Sequence, residues 1–257
     1  MKKDIKKEVL YSLRSSRFLI IAATFLFFGI LTPVMTKFIL PAIFQSQFPG
    51  VTDEMMAEMV DMSQLGSLKS FFNDMFEMGT LVIAFSLCGL LAQELKDNTL
   101  VIPLCSGKRF SRIVLSKLIV FSAALSASVI IAVSVSYLYA GALFAFDVPF
   151  LAVMKSGLLQ SFYLIFILSC LLFFGSLIKK PIAAGFITLF TAFGLQAAGN
   201  LLDINSWLPS GLVAEAQTLS DTLPSNTLFT LLITAVLIAA MTGLTIIRLQ
   251  TIELNER

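Results

Sequence analysis

Residues 118–146 of this chain read LIVFSAALSASVIIAVSVSYLYAGALFAF, and none of them is charged. A helix needs about 20 apolar residues to cross the hydrocarbon core of a bilayer, which is about 30 Å thick, so this stretch exceeds the required length. Its polar residues do not alternate with apolar ones, as the strands of a membrane barrel would require. We therefore expect a membrane-spanning α-helix, since a lone strand would leave its backbone unpaired in lipid.

Five more apolar runs lie on either side of this one. The chain is 57% hydrophobic and 13% charged, whereas a soluble domain is about a quarter charged. The second run is the shortest, because its charge-free part is only residues 78–93 and it must take Asp74 and Glu77 at its outer end. The sequence predicts an all-α integral membrane protein, with a single transmembrane domain over residues 1–257. Its six predicted transmembrane helices cover residues 18–40, 71–93, 113–146, 156–178, 181–202 and 225–248.

The basic residues predict the orientation of the six helices. The cytoplasmic loops of membrane proteins carry an excess of Lys and Arg. If the chain starts inside, fifteen of its 18 Lys and Arg residues fall on the cytoplasmic side. The three outer cations are Lys37, Lys69 and Lys155. We therefore expect both termini to lie in the cytoplasm.

Residues 1–17 predict an amphipathic helix ahead of the first span. Ile5, Val9 and Leu13 recur every four residues, and basic residues occupy other positions. Such a helix lies in the inner membrane interface, held by its apolar face and by anionic lipid. The alternative is a solvated basic tail that only enforces orientation. On the outer side, the methionine-rich residues 41–70 predict either a short helix across the bundle or a mobile loop.

Several residue types that enzymes need are missing from the chain. It contains no histidine, which excludes HExxH metalloproteases and Ser-His-Asp hydrolases. Its three cysteines form no CxxC pair, so they predict neither a zinc site nor a disulfide framework. The net charge of +2 is too small to indicate nucleic-acid binding. We expect no catalytic residue, no bound metal and no cofactor held by this chain.

The loop between the second and third spans, residues 94–112, reads ELKDNTLVIPLCSGKRFSR. An acidic residue at the end of a span precedes a threonine–leucine pair, basic residues and a lysine early in the next span. This order resembles the ABC-2 type permeases, which are the membrane subunits of ATP-driven exporters. The matching residues are Glu94, Thr99, Leu100, Arg109 and Lys117. Asn98 stands where that family usually has glycine.

The resemblance implies a set of partners and a location. Residues 94–112, with Asn98 and Arg112 among the contacts, would form a coupling loop that rests in a groove of a cytoplasmic ABC ATPase. That partner would use ATP and Mg, and a second permease subunit, identical or different, would complete the pathway in a prokaryotic plasma membrane. The chain itself has no GxxxxGK[ST] phosphate loop. At its Gly107–Lys108 pair, Arg109 stands where Ser or Thr is required.

Two other function classes are open at this point. One is a self-contained secondary carrier or channel, although ion-coupled carriers usually place ionisable residues inside their helices. The other is a membrane scaffold or an enzyme such as an intramembrane protease, for which paired catalytic acids are missing. Gln160 and Gln196 lie deep in their apolar runs. They are either packing residues or candidates for a substrate pathway.

Overall fold

The computed structural model of the chain describes residues 2–47, 61–100, 104–105, 107–220 and 225–255, and no strand occurs among them. Six helices in this described part are long and apolar enough to cross a membrane. Each of them exceeds the ~20 residues that a bilayer core requires. The structure confirms the predicted all-α membrane fold with six membrane-spanning helices.

The first span begins after a short N-terminal helix. Helix α1 covers Lys2–Arg14 and helix α2 covers Arg17–Val34, and between them Ser16 has a left-handed backbone with φ of 55°. A π-helical turn at Met35–Ile39 continues α2 into the next helix. The later helices are α3 (Leu40–Gln47), α4 (Gln64–Leu87), α5 (Ala92–Lys96), α6 (Phe110–Leu143), α7 (Phe150–Ile178), α8 (Pro181–Leu202), α9 (Ser210–Thr218) and α10 (Ser225–Asn255).

The second span, formed by α4 and α5, is longer than the apolar run that predicted it. Helix α4 begins at Gln64 rather than at residue 71, because Ser63 caps it by accepting a hydrogen bond from the Gly66 N–H at 3.2 Å. Residues 65–68 therefore belong to this span and not to a separate outer helix. Met62, also assigned to that predicted helix, precedes the cap and is not helical, and Met55, Met56 and Met59 lie outside the described residues.

Two more spans differ from their expected bounds. Helix α6 ends at Leu143 rather than at residue 146, and α7 begins at Phe150 rather than at residue 156. Pro149 precedes the first turn of α7, where the missing N–H of proline costs no helical hydrogen bond. Lys155 consequently lies inside α7, and its ammonium donates to the carbonyl oxygen of Ser220.

Helix α7 is the centre of the bundle. It packs against α4, α5, α6, α8, α9 and α10, and its residues are the most buried of any span. Helix α2 lies to one side, against α4 and α6. Because consecutive spans cross in opposite directions, one end of the bundle carries α1, α5, the start of α6 and the 179–180 turn. We call this the basic end and the opposite one the acidic end.

Helices α2 and α6 are joined at two depths. A Cβ atom on Gly29 would lie 3.0 Å from the carbonyl oxygen of Ala132, so the glycine allows the two backbones to approach closely. Further along, Lys37 in the π-helical turn donates to the carbonyl oxygen of Leu143 at the end of α6. Its ammonium also lies 5.5 Å from the centre of the Phe144 ring.

A buried glutamine closes the acidic end. Gln64 accepts hydrogen bonds from the backbone N–H groups of Asp147 and Val148 at 2.9 and 3.0 Å, and its amide donates to the carbonyl of Tyr137 at 3.4 Å. The Tyr137 hydroxyl donates in turn to the carbonyl of Val148 at 3.2 Å. One side chain therefore joins the start of α4, the end of α6 and the connection to α7.

Candidate functional site

Lys117 is a buried cation near the start of α6, at the basic end. Only 1% of its side chain is exposed, and its ammonium lies 2.8 Å from Glu94 Oε1 and 3.0 Å from Glu8 Oε2. These residues belong to α6, α5 and α1, so one ammonium group connects three elements. We call Glu8, Glu94 and Lys117 the ion triad.

The ion triad is little screened by water. The side chains of Glu8 and Glu94 are 6% and 21% exposed, and partly buried ion pairs keep most of their attraction when salt is present. Burying an ammonium costs several kcal/mol unless partners compensate it. Two carboxylates face one ammonium here, and Glu94 Oε2 is buried without a hydrogen-bond partner among the described residues. The triad therefore has an acceptor left for one more donor.

Helix α1 turns a polar face toward the bundle. Asp4, Glu8 and Ser12 are buried, and residues four apart lie on the same side of a helix. Asp4 contacts Lys108 with an oxygen–nitrogen distance of 2.5 Å. Hydrogen bonds, the strongest from Lys108 and the next from the α-amino group, lower the pKa of Asp4 to about 2. Together they stabilise the protein fully above the ordinary pKa of 3.8, and this stabilisation disappears as the pH falls toward 2.

The opposite face of α1 combines apolar and basic side chains. Val9, in the stripe expected to be apolar, is 37% exposed, while Ile5 packs partly against the core. The side chain of Leu13 lies outside the described side chains. The exposed residues of this face include Lys6 and Leu10. A surface of this kind suits a helix that lies in an anionic membrane interface.

Helix α5 ends in a defined turn that explains the asparagine at position 98. Asn98 has a left-handed backbone with φ of 52°. The Thr99 N–H donates to the Glu94 carbonyl at 3.0 Å, and the Asn98 N–H donates to the Leu95 carbonyl at 3.4 Å. This is the Schellman arrangement, whose left-handed position usually takes glycine and sometimes asparagine. The asparagine therefore preserves the conformation that glycine would give.

Substitutions of Asn98 are expected to follow this backbone requirement. Asn98→Gly should leave the unfolding midpoint of the purified chain nearly unchanged. Asn98→Val should cost about 1–2 kcal/mol, because a side chain branched at Cβ opposes the left-handed conformation that asparagine tolerates. The matched control is Asp203→Val, which introduces the same strain at φ of 53° at the end of α8. Equal unfolding midpoints for Asn98→Gly and Asn98→Val would contradict a left-handed backbone at position 98.

A cavity of about 250 Å³ lies beside the ion triad, between α1 and α5. Its lining is acidic on balance, with four carboxylates against Lys7 and Lys108. The carboxylates are those of Asp4, Glu8, Glu94 and Asp97. Thr99 and Leu100 complete one wall, and Leu100 is only 6% exposed, so it anchors the loop to the core. The cavity, the triad and the turn after α5 form one continuous site.

The basic residues of the loop remain accessible. Arg109 precedes the first turn of α6 and Arg112 lies in that turn, and both are exposed. No ion pair holds either arginine within the described part of the chain. Gly107, just before them, has a left-handed backbone with φ of 80° and open space around its Cα. Both guanidinium groups are therefore available to a partner.

The two glutamines proposed for a pathway lie apart from this site. Gln160 is fully buried in the middle of α7, and Gln196 is half-buried toward the end of α8. No hydrogen bond joins the two amides in the described structure. Phe76 lies between the two helices, with its ring centre 5.7 Å from that of Tyr163 in α7 and 5.5 Å from that of Phe193 in α8.

Sequence reasoning missed the contribution of α1 to the site. Asp4, Glu8 and Lys108 were not among the expected residues, although Glu94 and Lys117 were. The available signal was the spacing of Asp4, Glu8 and Ser12, which places a polar stripe on an otherwise basic helix. The neighbouring apolar stripe that begins at Ile5 has the same spacing, so the pattern alone does not decide which stripe faces the protein.

Comparison with known proteins does not assign the chain to a family. No family model matches it, and no curated protein matches it. Within the described residues, no group of three or more His, Cys, Asp or Glu side chains is arranged to hold a metal ion. The site is therefore characterised by its ion triad, its acidic cavity and its exposed arginines.

Proposed function

We propose that this chain is the membrane-spanning permease subunit of an ATP-driven exporter of the ABC-2 type. The ion triad is the single observation that carries the proposal. It fixes the short helix α5, which leads into the loop at residues 94–112, to both α1 and α6. A loop held in this way moves with the bundle, as the transmission of force from a docked motor requires.

The site has the chemistry to dock a cytoplasmic protein. Arg109 and Arg112 present two exposed guanidinium groups that suit carboxylates on a partner, since arginine pairs with them through two hydrogen bonds. The acidic cavity beside them is large enough for one basic side chain, whose donor would reach the free Glu94 Oε2. Complementary charges of this kind set the orientation of a complex and exclude wrong partners.

The proposed mechanism begins outside this chain. ATP binding closes a pair of ATPase subunits, which use ATP and Mg, and the closure displaces the docked loop. Because Lys117 pairs with Glu94, the start of α6 follows the loop, and α1 follows through Glu8. The helices packed on α6 then tilt between inward- and outward-facing arrangements. In the chain itself, the sequence around Gly107 and Lys108 lacks the phosphate-binding loop that ATP hydrolysis would need.

The proposal also includes location and assembly. The positive-inside rule supports a cytoplasmic basic end, with both termini inside a prokaryotic plasma membrane. The exposed apolar and basic face of α1 supports a position at the inner membrane surface. A second permease subunit, identical or different, would complete the pathway. A reporter fused at Gly107 tests the orientation, since activity of a periplasmic reporter there would place the loop outside.

Charge reversal at Arg109 tests the docking directly. The chain should be extracted from its native membrane in mild detergent together with a nucleotide-binding ATPase, identified by mass spectrometry. Arg109→Glu should lower the amount of that ATPase at least ten-fold, because the reversed charge would repel the carboxylates that we assign to the partner. The matched control is Lys180→Glu, which reverses an exposed charge at the same end but outside the loop.

Two results would overturn the proposal. One is equal ATPase recovery from Arg109→Glu and Lys180→Glu, which would show that the loop is not the docking surface. The other is transport by the purified chain alone in vesicles, which would instead support a self-contained carrier or channel.

A further inference from the structure

Helix α7 satisfies most of its buried serines locally. The hydroxyls of Ser161, Ser169 and Ser176 donate to backbone carbonyls of their own helix at 2.7 to 2.8 Å. This arrangement is common in membrane helices, because hydroxyl groups have no water to bind in lipid. Most buried serines of α7 are therefore hydrogen-bonded within the helix, and other buried polar side chains of α7 can be compared with them.

Gln160 departs from that pattern. It is fully buried, and neither its amide nitrogen nor its amide oxygen has a hydrogen-bond partner among the described residues. The buried hydroxyl of Ser156 lacks a partner in the same way, whereas the buried hydroxyl of Tyr163 lies near that of Thr80 in α4. The positions i, i+4 and i+7 lie on one face of a helix. We call Ser156, Gln160 and Tyr163 the polar face of α7.

This polar face lowers the stability of the folded chain. Burying a hydroxyl or amide without a hydrogen bond costs about 1–3 kcal/mol in proteins. Leucine or methionine at position 160 would keep the volume of glutamine without that cost. Residues that reduce stability without a structural gain are typical of functional sites. The polar face therefore has the character of a binding surface.

Only a thin aromatic layer separates the polar face from the surface of the chain. Tyr163 contacts Phe76 of α4, which is 4% exposed, and Phe76 contacts Phe193 of α8, which is 40% exposed. A change in the packing of one side chain, Phe76, would thus open a route from this surface to Tyr163, at one end of the polar face. Displacement of a single ring is a small rearrangement compared with the tilting of whole helices.

We propose that the polar face of α7 is a binding site for uncharged polar groups inside the membrane, exposed when Phe76 moves. An amide both donates and accepts hydrogen bonds, so Gln160 suits hydroxyl and amide groups of a transported molecule as well as water. The assignment to a transported molecule rests on the proposed exporter function. The accessibility of the site to water-borne solutes does not rest on that function.

Cysteine labelling tests the site without knowledge of the substrate. Cys88, Cys105 and Cys170 are first replaced by serine or alanine in the full chain, kept in native membranes with its associated ATPase. Gln160→Cys is then exposed to a positively charged, membrane-impermeant methanethiosulfonate reagent while ATP is supplied. We expect labelling at least ten-fold faster than at Ser169→Cys, a fully buried control on the opposite side of the same helix.

Ser156→Cys serves as a second variant and changes a single atom of the side chain. Labelling of Gln160→Cys or Ser156→Cys without labelling of Ser169→Cys supports the proposal. Labelling of none of them, or of all three equally, overturns it. Neither of these results bears on ATPase docking, which the Arg109 experiment decides. If no ATPase accompanies the chain, the same three rates measured without nucleotide decide whether the polar face is accessible.

Discussion

Lys117→Met is expected to lower the free energy of unfolding by about 3–5 kcal/mol, because it leaves Glu8 and Glu94 buried beside each other without a cation. Methionine is unbranched and flexible, so it fills much of the space of the lysine stem. The measurement is the thermal unfolding midpoint of the detergent-purified chain, together with the amount of ATPase recovered with it. Both quantities should fall, since α5 loses its connection to α6.

A triple variant separates the lost charge from the lost packing. Lys117→Met combined with Glu8→Gln and Glu94→Gln removes both uncompensated carboxylates, and we expect most of the stability to return. ATPase recovery should stay low, because the loop is no longer held by charge. The surface control is Lys96→Met, an exposed cation of α5 whose loss should change stability by less than about 0.5 kcal/mol. An unchanged midpoint for Lys117→Met would contradict a buried ion triad.

The second large effect is expected at the acidic end, for Gln64→Leu. The substitution removes three hydrogen bonds and leaves the N–H groups of Asp147 and Val148 without an acceptor. Each lost bond is worth about 0.5–1.5 kcal/mol, and a stranded buried donor costs more. We expect a loss of about 2–4 kcal/mol, read from the unfolding midpoint of the purified chain.

Gln64→Glu tests whether the two hydrogen bonds accepted by the amide oxygen stabilise the acidic end. Measured at a pH where the buried carboxyl is protonated, it keeps an oxygen that accepts from the N–H groups of Asp147 and Val148, so it should destabilise less than Gln64→Leu. Lys69→Leu, an exposed neighbour in α4, should have little effect. If Gln64→Leu and Gln64→Glu are equally unstable, the acceptor bonds do not hold this end together.

The membrane fold was predictable because it depends on composition over long windows. Residues 118–146 and the other apolar runs exceed the span length by themselves, and no tertiary contact is needed to interpret them. The helix ends were harder, since they depend on local contacts that a hydropathy pattern does not contain. The start of α4 follows from its cap at Ser63, and the start of α7 follows Pro149.

The candidate site was predictable only in part. Glu94, Thr99, Leu100 and Lys117 were expected from the order of residues in one loop and the start of the next span. The structure places the first three in the lining of one cavity and pairs Lys117 with Glu94. Glu8 lies 109 positions from Lys117 in the chain, and local patterns do not predict which distant carboxylate meets a buried ammonium. Gln160 was expected for its depth in the membrane, but its unpartnered amide became apparent only from the packing around it.

The central position of α7 has a consequence for the order in which the chain is assembled. Three spans enter the membrane before α7 is synthesised, and α2 can pack on α4 and α6 without it. The donors that Gln64 needs, at Asp147 and Val148, follow α6 in the chain and precede α7. The acidic end therefore stays open until the connection that follows α6 is synthesised. A nascent chain that stalls before residue 147 leaves Gln64 without these two donors, although α4 and α6 are already complete.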